Sequence, residues 1–229
     1  MLYELRKYEV MPGKVPALLD RFGSFTTKKW PEYGIRLVGF WTPDMGGHNH
    51  QVIYMFAWES LEERQKKFPA WQADPERARV WAETEKNGPL VHRVQNQLIE
   101  PTGFSQLDNG VPYGPDAAGR KPYLFELREY DASPGKLPAL VKRFGGFTSG
   151  AFQKFGFRQV GYWTPLIGLS NQLIYMLAWE SYEERSDKFR TFRADPERQR
   201  VFAESEKDGV LVERVTATMM EPTAFSPMK

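Results

Sequence analysis

Gly34-Ile-Arg-Leu-Val-Gly-Phe-Trp-Thr-Pro43 and, after a polar turn, Gln51-Val-Ile-Tyr-Met-Phe-Ala-Trp-Glu-Ser60 decide how this chain is read. Both segments return as Gly156-Phe-Arg-Gln-Val-Gly-Tyr-Trp-Thr-Pro165 and Gln172-Leu-Ile-Tyr-Met-Leu-Ala-Trp-Glu-Ser181, so the chain is a tandem duplication. Glu126, Arg128, Gly135 and Phe144 each lie 122 positions after Glu4, Arg6, Gly13 and Phe22. Gln172 lies only 121 after Gln51, so the first copy carries one extra residue in the turn, assigned to His50. The repeat divides the chain into residues 1–102, a Gly- and Pro-rich linker at 103–122, and residues 123–229.

Outward from that hairpin, each copy spells six elements. Leu2 to Val10 alternates, Tyr3 and Leu5 on one face and Glu4, Arg6 and Tyr8 on the other, as in a strand. From Lys14, the apolar Val15, Leu18, Leu19, Phe22 and Phe25 share one helical face, with Pro16 in the first turn and an end near Pro31 and Gly34. Residues 35–42 and 51–58 are apolar on both faces, as strands covered on both sides are. Ser60 with Glu63, and Ser181 with Glu184, form capping boxes, and Asp74-Pro75-Glu76, like Asp195-Pro196-Glu197, restarts a helix. Leu90 to Ile99 is a last strand. The order is strand, helix, strand, strand, helix, strand, the ferredoxin-like α+β unit. Helices cover one face of such a sheet, and central strands this apolar cannot leave the other in water. Two bare faces closing on each other give a barrel with pseudo-two-fold symmetry, within one chain or across a homodimer.

Composition narrows the partners. The 31 basic and 29 acidic residues form no basic block, which argues against nucleic acid and anionic membranes. There is no Cys, and therefore no disulfide or thiolate chemistry. No apolar run has the roughly 20 residues of a membrane span, and Met1-Leu-Tyr-Glu-Leu-Arg6 reads as a strand rather than a leader. The expectation is a cytoplasmic protein whose partner is a small molecule or another copy of itself in a homo-oligomer. No P-loop, Gly-x-Gly-x-x-Gly or Gly-x-Ser-x-Gly stretch occurs, and no cofactor is expected.

Tyr3-Glu-Leu-Arg6 before Pro12-Gly-Lys14, then Gly39-Phe-Trp41, a turn with Gly46 and Asn49, and Trp58, Ser60, Glu63 and Arg64 resemble the NIPSNAP family. The second copy keeps Phe125-Glu-Leu-Arg128, Pro134-Gly-Lys136, Gly161-Tyr-Trp163, Gly168, Asn171, Trp179 and Arg185, so the resemblance spans all but the linker. It implies a dimeric α-β barrel, the superfamily of small monooxygenases without metal or flavin, muconolactone-type isomerases and haem chlorite dismutases. The family supplies no agreed catalytic residues to carry over.

In that barrel the faces turned away from the helices meet at the centre. Glu4, Arg6 and Tyr8, matched by Glu126, Arg128 and Tyr130, are read there, with Arg93 and Arg214 added from the last strands. Arginines beside tyrosines suit an acidic or carbonyl-bearing ligand, and a Glu would serve as base if its surroundings raised its pKa. The competing reading is that Glu4 and Arg6 simply neutralise each other, since structural ion pairs imitate sites. His48 and His50 are the candidate metal ligands, but they lack a third partner, so no metal is expected. Trp41, Trp163, Tyr54, Tyr175, Trp58 and Trp179 read as core. The function expected is binding of a small, partly apolar molecule in the barrel interior. The alternatives are a cofactor-free monooxygenase or isomerase on an aromatic or polyketide-like substrate, and a non-catalytic scaffold.

Overall fold

The computed structural model describes residues 1–107 and 123–229. The first repeat runs β1 (Leu2–Val10), α1 (Val15–Arg21), a π-helical turn (Phe22–Thr26), α2 (Thr27–Lys29), a 3₁₀ turn (Trp30–Tyr33), β2 (Arg36–Met45), β3 (Gln51–Trp58), α3 (Leu61–Gln72), α4 (Pro75–Thr84) and β4 (Val91–Pro101). The second repeats it with β5 (Leu124–Ala132), α5 (Leu137–Arg143), a π turn (Phe144–Thr148), α6 (Ser149–Lys154), β6 (Arg158–Ile167), β7 (Gln172–Trp179), α7 (Tyr182–Ala194), α8 (Pro196–Ser205) and β8 (Val212–Pro222). The helical run that begins with α1 ends after the 3₁₀ turn at Gly34, in the left-handed conformation, φ 64°. The caps are in place: Ser60 Oγ accepts from the Glu63 N–H at 3.1 Å, and Asp74 Oδ1 from those of Glu76 and Arg77 at 2.6 and 3.0 Å.

The strands close into one barrel within the single chain, in the order β1-β3-β2-β8-β5-β7-β6-β4. Each repeat donates its last strand to the other: β8 pairs with β2 from Trp41 opposite Pro222 to Met45 opposite Met219, and β4 pairs with β6 from Leu98 opposite Ile167 to Pro101 opposite Trp163. Closure removes the sheet edges that two open ferredoxin-like sheets would expose there. All eight residues of β3 and of β7 are buried, as their apolar runs require.

The barrel interior reverses one expectation. Its centre is filled by Tyr3, Leu5, Ile53 and Met55 packed with Phe125, Leu127, Ile174 and Met176, all at most 2% exposed. Glu4, Arg6 and Tyr8, with Glu126, Arg128 and Tyr130, lie on the opposite strand faces, beneath the helices. β1 is buried on both faces, so alternation separates its two sides without telling which is central. The side that holds charge is the one where helical arginines can answer it. Toward one end of the interior the apolar ladder gives way to Lys7 and Glu129, an ion pair between β1 and β5, which stand opposite each other in the strand order.

The stretch read as the start of a linker packs against the second repeat. The Thr102 N–H donates to the Tyr162 carbonyl at 2.9 Å, Ser105 Oγ accepts from the Tyr162 N–H at 2.9 Å, and Leu107 is buried in the barrel. The C-terminal segment does the reverse: the Thr223 N–H reaches the Phe40 carbonyl, Ser226 Oγ accepts from the Phe40 N–H, and Met228 is buried in the same interior. Thr102-Gly-Phe-Ser105 and Thr223-Ala-Phe-Ser226 are thus a repeated clasp, visible in the sequence once the 121-residue offset is extended to the end. The remaining linker positions, 108–122, lie outside the described residues.

Each clasp sets a phenyl ring on a glycine of the opposite π turn. A Cβ on Gly145 would stand 2.8 Å from Phe104, and one on Gly23 2.8 Å from Phe225. Gly145→Ala is therefore expected to cost about 1–3 kcal/mol by overpacking, read as a lowered urea midpoint. Combined with Phe104→Ala it should cost less than the sum of the two, because the clash is gone. Strict additivity would mean that the ring does not rest there.

Candidate functional site

Two equivalent charged clusters lie between sheet and helices. On β1, alternation puts Glu4, Arg6 and Tyr8 on one face, and the helix capped by Ser60 brings Arg64 over them. Glu4, fully buried, accepts from Arg6 Nη1 at 2.5 Å, Arg64 Nε at 3.1 Å, Trp58 Nε1 at 3.2 Å and Asn96 Nδ2 at 3.2 Å. Arg6 also donates to the Tyr54 hydroxyl at 2.9 Å and the Tyr8 hydroxyl at 3.3 Å. In the second repeat Glu126 accepts from Arg128 Nη1 at 2.5 Å, from Arg185 through Nη2 at 2.6 Å and Nε at 2.9 Å, and from Trp179 Nε1 at 3.0 Å. Arg128 reaches Tyr175 at 2.7 Å and Tyr130 at 3.0 Å. Sequence reasoning named the strand residues and missed Arg64 and Arg185 as their partners; the signal was an Arg three residues past each capping Glu's helix start, recurring in both copies.

The electrostatics fix these groups in single states. Burial pushes the Glu4 and Glu126 carboxyls up, but hydrogen bonds and charges from Arg64 and Arg6, and from Arg185 and Arg128, outweigh it and hold both below the ordinary carboxyl value. Burial drives the Tyr54 and Tyr175 hydroxyls well up, so they stay protonated. Burial would lower Arg6 and Arg128, yet their tyrosine and glutamate neighbours raise both, and they stay charged. A carboxylate locked between two guanidiniums has neither the free lone pairs nor the raised pKa of a general base.

The repeats differ one layer further out. The π turn of the second repeat ends in Thr148, and beside it a cavity of about 70 Å³ is lined by Arg128, Tyr130, Thr148, Arg193 and Arg198 together with Phe144, Phe152, Phe189, Phe192 and Phe202. Phe152, Phe192 and Phe202 stand where the first repeat has Trp30, Trp71 and Trp81, and Arg193 where it has Gln72. A phenyl ring is smaller than an indole, so at these three positions the second repeat places less side-chain volume around the cavity. Phe202 is held between two guanidiniums, Arg143 at 4.0 Å and Arg198 at 3.9 Å from its centroid, as Trp81 is between Arg21 and Arg77 at 4.1 and 4.3 Å. Thr148 Oγ1 and Arg198 Nε are buried without a hydrogen-bond partner among the described residues. π turns recur at functional sites because they re-aim a side chain out of the helical register, and sequence periodicity gave no sign of these two.

Other predicted residues go elsewhere. Arg93 lies 3.6 Å from Glu9 and Arg214 2.6 Å from Asp131, both arginines exposed on the last strands and outside the two clusters. His48 and His50 line an open pocket of about 670 Å³ with His92 and Glu9 at one end of the first repeat's sheet. Among the described residues no three His, Asp or Glu side chains gather as a metal site. No described helix is long and apolar enough to cross a membrane.

The family model described as NIPSNAP matches residues 3–106 and 125–227, one match per repeat. NipSnap homolog 3B of Mus musculus is 25% identical over 229 residues, 99% of this chain and 85% of that protein. A NipSnap homolog of Dictyostelium discoideum is 24% identical over 188 residues, 80% of this chain and 72% of that protein. Among solved structures, a Fusobacterium nucleatum protein provisionally named a monooxygenase superposes with TM-score 0.63 at 11% identity, covering 100% of this chain and 94% of that one. An anthrone oxidase-like protein does so with TM-score 0.59 at 16% identity, covering 97% and 91%. At these identities the structural neighbours share the fold.

Proposed function

The chain belongs to the NIPSNAP family, and from that premise and the geometry of the second repeat we propose that it binds a small, partly apolar molecule between sheet and helices, not at the barrel centre. The interior is closely packed with buried side chains, so a ligand there would have to displace core. The observation that carries the reading is that three of the cavity's rings, Phe152, Phe192 and Phe202, are smaller than Trp30, Trp71 and Trp81 at the equivalent positions, so substitution alone, with no change of fold, gives the second repeat room beside Arg128 and Tyr130. Proton abstraction, which a cofactor-free oxygenase or isomerase needs, would fall to Glu126, and its low pKa and full hydrogen bonding favour binding over turnover.

Native and denaturing mass spectrometry of the freshly purified chain tests this. The expected result is a native mass above a multiple of 26.5 kDa, with the excess lost in Phe192→Trp/Phe202→Trp, a variant that installs residues the first repeat already accommodates. The same spectrum counts the subunits, for which a homo-oligomer is expected. A retained molecule that survives the double substitution, or none in either protein, would remove this cavity as the site.

A further inference from the structure

We propose that the polar end of the second repeat's cavity is an oxyanion site, taking a carboxylate or phosphate group against Arg198, Arg193 and Thr148. This rests on the reading above and specifies the ligand. Among the described residues no carboxylate lines the cavity. Arg128 is already answered by Glu126, and Arg143 by Glu206 at 2.8 Å, whereas Arg193 and Arg198 form no ion pair among the described residues. Two buried donors, Thr148 Oγ1 and Arg198 Nε, lack an acceptor among the described residues, and a buried donor left unpaired costs about 1–3 kcal/mol. The first repeat orphans the equivalent Thr26 and Arg77 atoms too, but there three of the five aromatic positions, Trp30, Trp71 and Trp81, are tryptophans and the extra cation is absent, Gln72 replacing Arg193.

Charge points the same way. Burial, then Arg143 and Arg193, pull the Arg198 guanidinium below its ordinary pKa, and an anion at Arg198 would relieve that repulsion. The volume, about 70 Å³, is that of about two liquid waters, the scale of a single carboxylate or phosphate group, so the rest of a larger ligand must extend beyond it.

The test follows the arginine Nε–Hε resonances of the ¹⁵N-labelled full chain during titration with acetate, inorganic phosphate and the neutral acetamide. Acetate and phosphate should shift the Arg198 resonance saturably and acetamide should not. Arg193→Gln, which copies Gln72, and Thr148→Val, which keeps the shape, should each raise the half-saturating anion concentration about tenfold, the scale of one hydrogen bond to a charged group. Tighter acetate marks an organic acid as the natural ligand, tighter phosphate a phosphorylated one. Acetamide saturating as readily as acetate, no saturation by either anion, or indifference to both substitutions overturns the oxyanion site. The Phe192→Trp/Phe202→Trp variant separates this from the cavity itself: if it abolishes binding of charged and neutral probes alike, the cavity stands and only the anion preference falls.

Discussion

Lys7→Glu is expected to lower the unfolding free energy by about 3–5 kcal/mol, the range for removing one partner of a buried ion pair. Lys7 and Glu129 are equivalent positions, 122 apart, and they meet inside the barrel with side chains 18% and 7% exposed. A barrel of two identical repeats would set Lys against Lys or Glu against Glu at this point. Here divergence of the copies has turned a like-charge contact into an attractive one. Two carboxylates in place of the pair would repel at low effective dielectric, while the apolar ladder of Leu5 and Leu127 beside them offers no acceptor or donor. Lys7→Glu/Glu129→Lys should restore most of the loss, since the reversed pair occupies nearly the same geometry. Urea unfolding of the two variants decides it: a reversed pair no more stable than the single substitution would mean that the site reads side-chain shape, not charge.

The duplication made most of the fold legible. Repetition fixed the element order, the apolar Gln51–Trp58 strand and its copy announced a sheet covered on both faces, and the capping residues appeared where the helices begin. Closure within one chain was left open because hydrophobic pattern is the same for an internal and an intermolecular partner. The face of β1 was misread for a related reason: Glu4 and Arg6 look like residues for a polar centre until Arg64, 60 positions away, is brought onto Glu4 by a helix whose packing no local pattern encodes. Site residues fared unevenly. The Glu–Arg–Tyr triads were visible as charges recurring in both copies, whereas the cavity depends on what differs between copies, three indoles lost and one arginine gained. That difference could be read by subtraction, but its meaning needed the π turn that aims Thr148 into the same space.

Glu126→Gln should cost about 3–5 kcal/mol near neutral pH, because it leaves Arg128 and Arg185 facing each other over a neutral amide in a buried setting. Its pH dependence separates charge from packing. The Glu126 carboxyl is held below its ordinary value of 4.5, so its stabilising contribution is complete above that value and is lost as acid carries the pH down through the depressed one. The wild-type chain should therefore lose stability on that limb, and the deficit of Glu126→Gln, measured by urea midpoints from neutral pH downward, should hold constant above the ordinary value and shrink below it at up to about 1.4 kcal/mol per pH unit. A deficit unchanged across the range would show that the amide fails for reasons of shape. Glu4→Gln supplies the comparison between copies. Glu4 has the same two guanidiniums and the same indole donor, so a structural pair predicts losses of similar size in both repeats. A loss in the first repeat with Glu126→Gln nearly neutral would instead mean that the second cluster is held for its ligand rather than for stability.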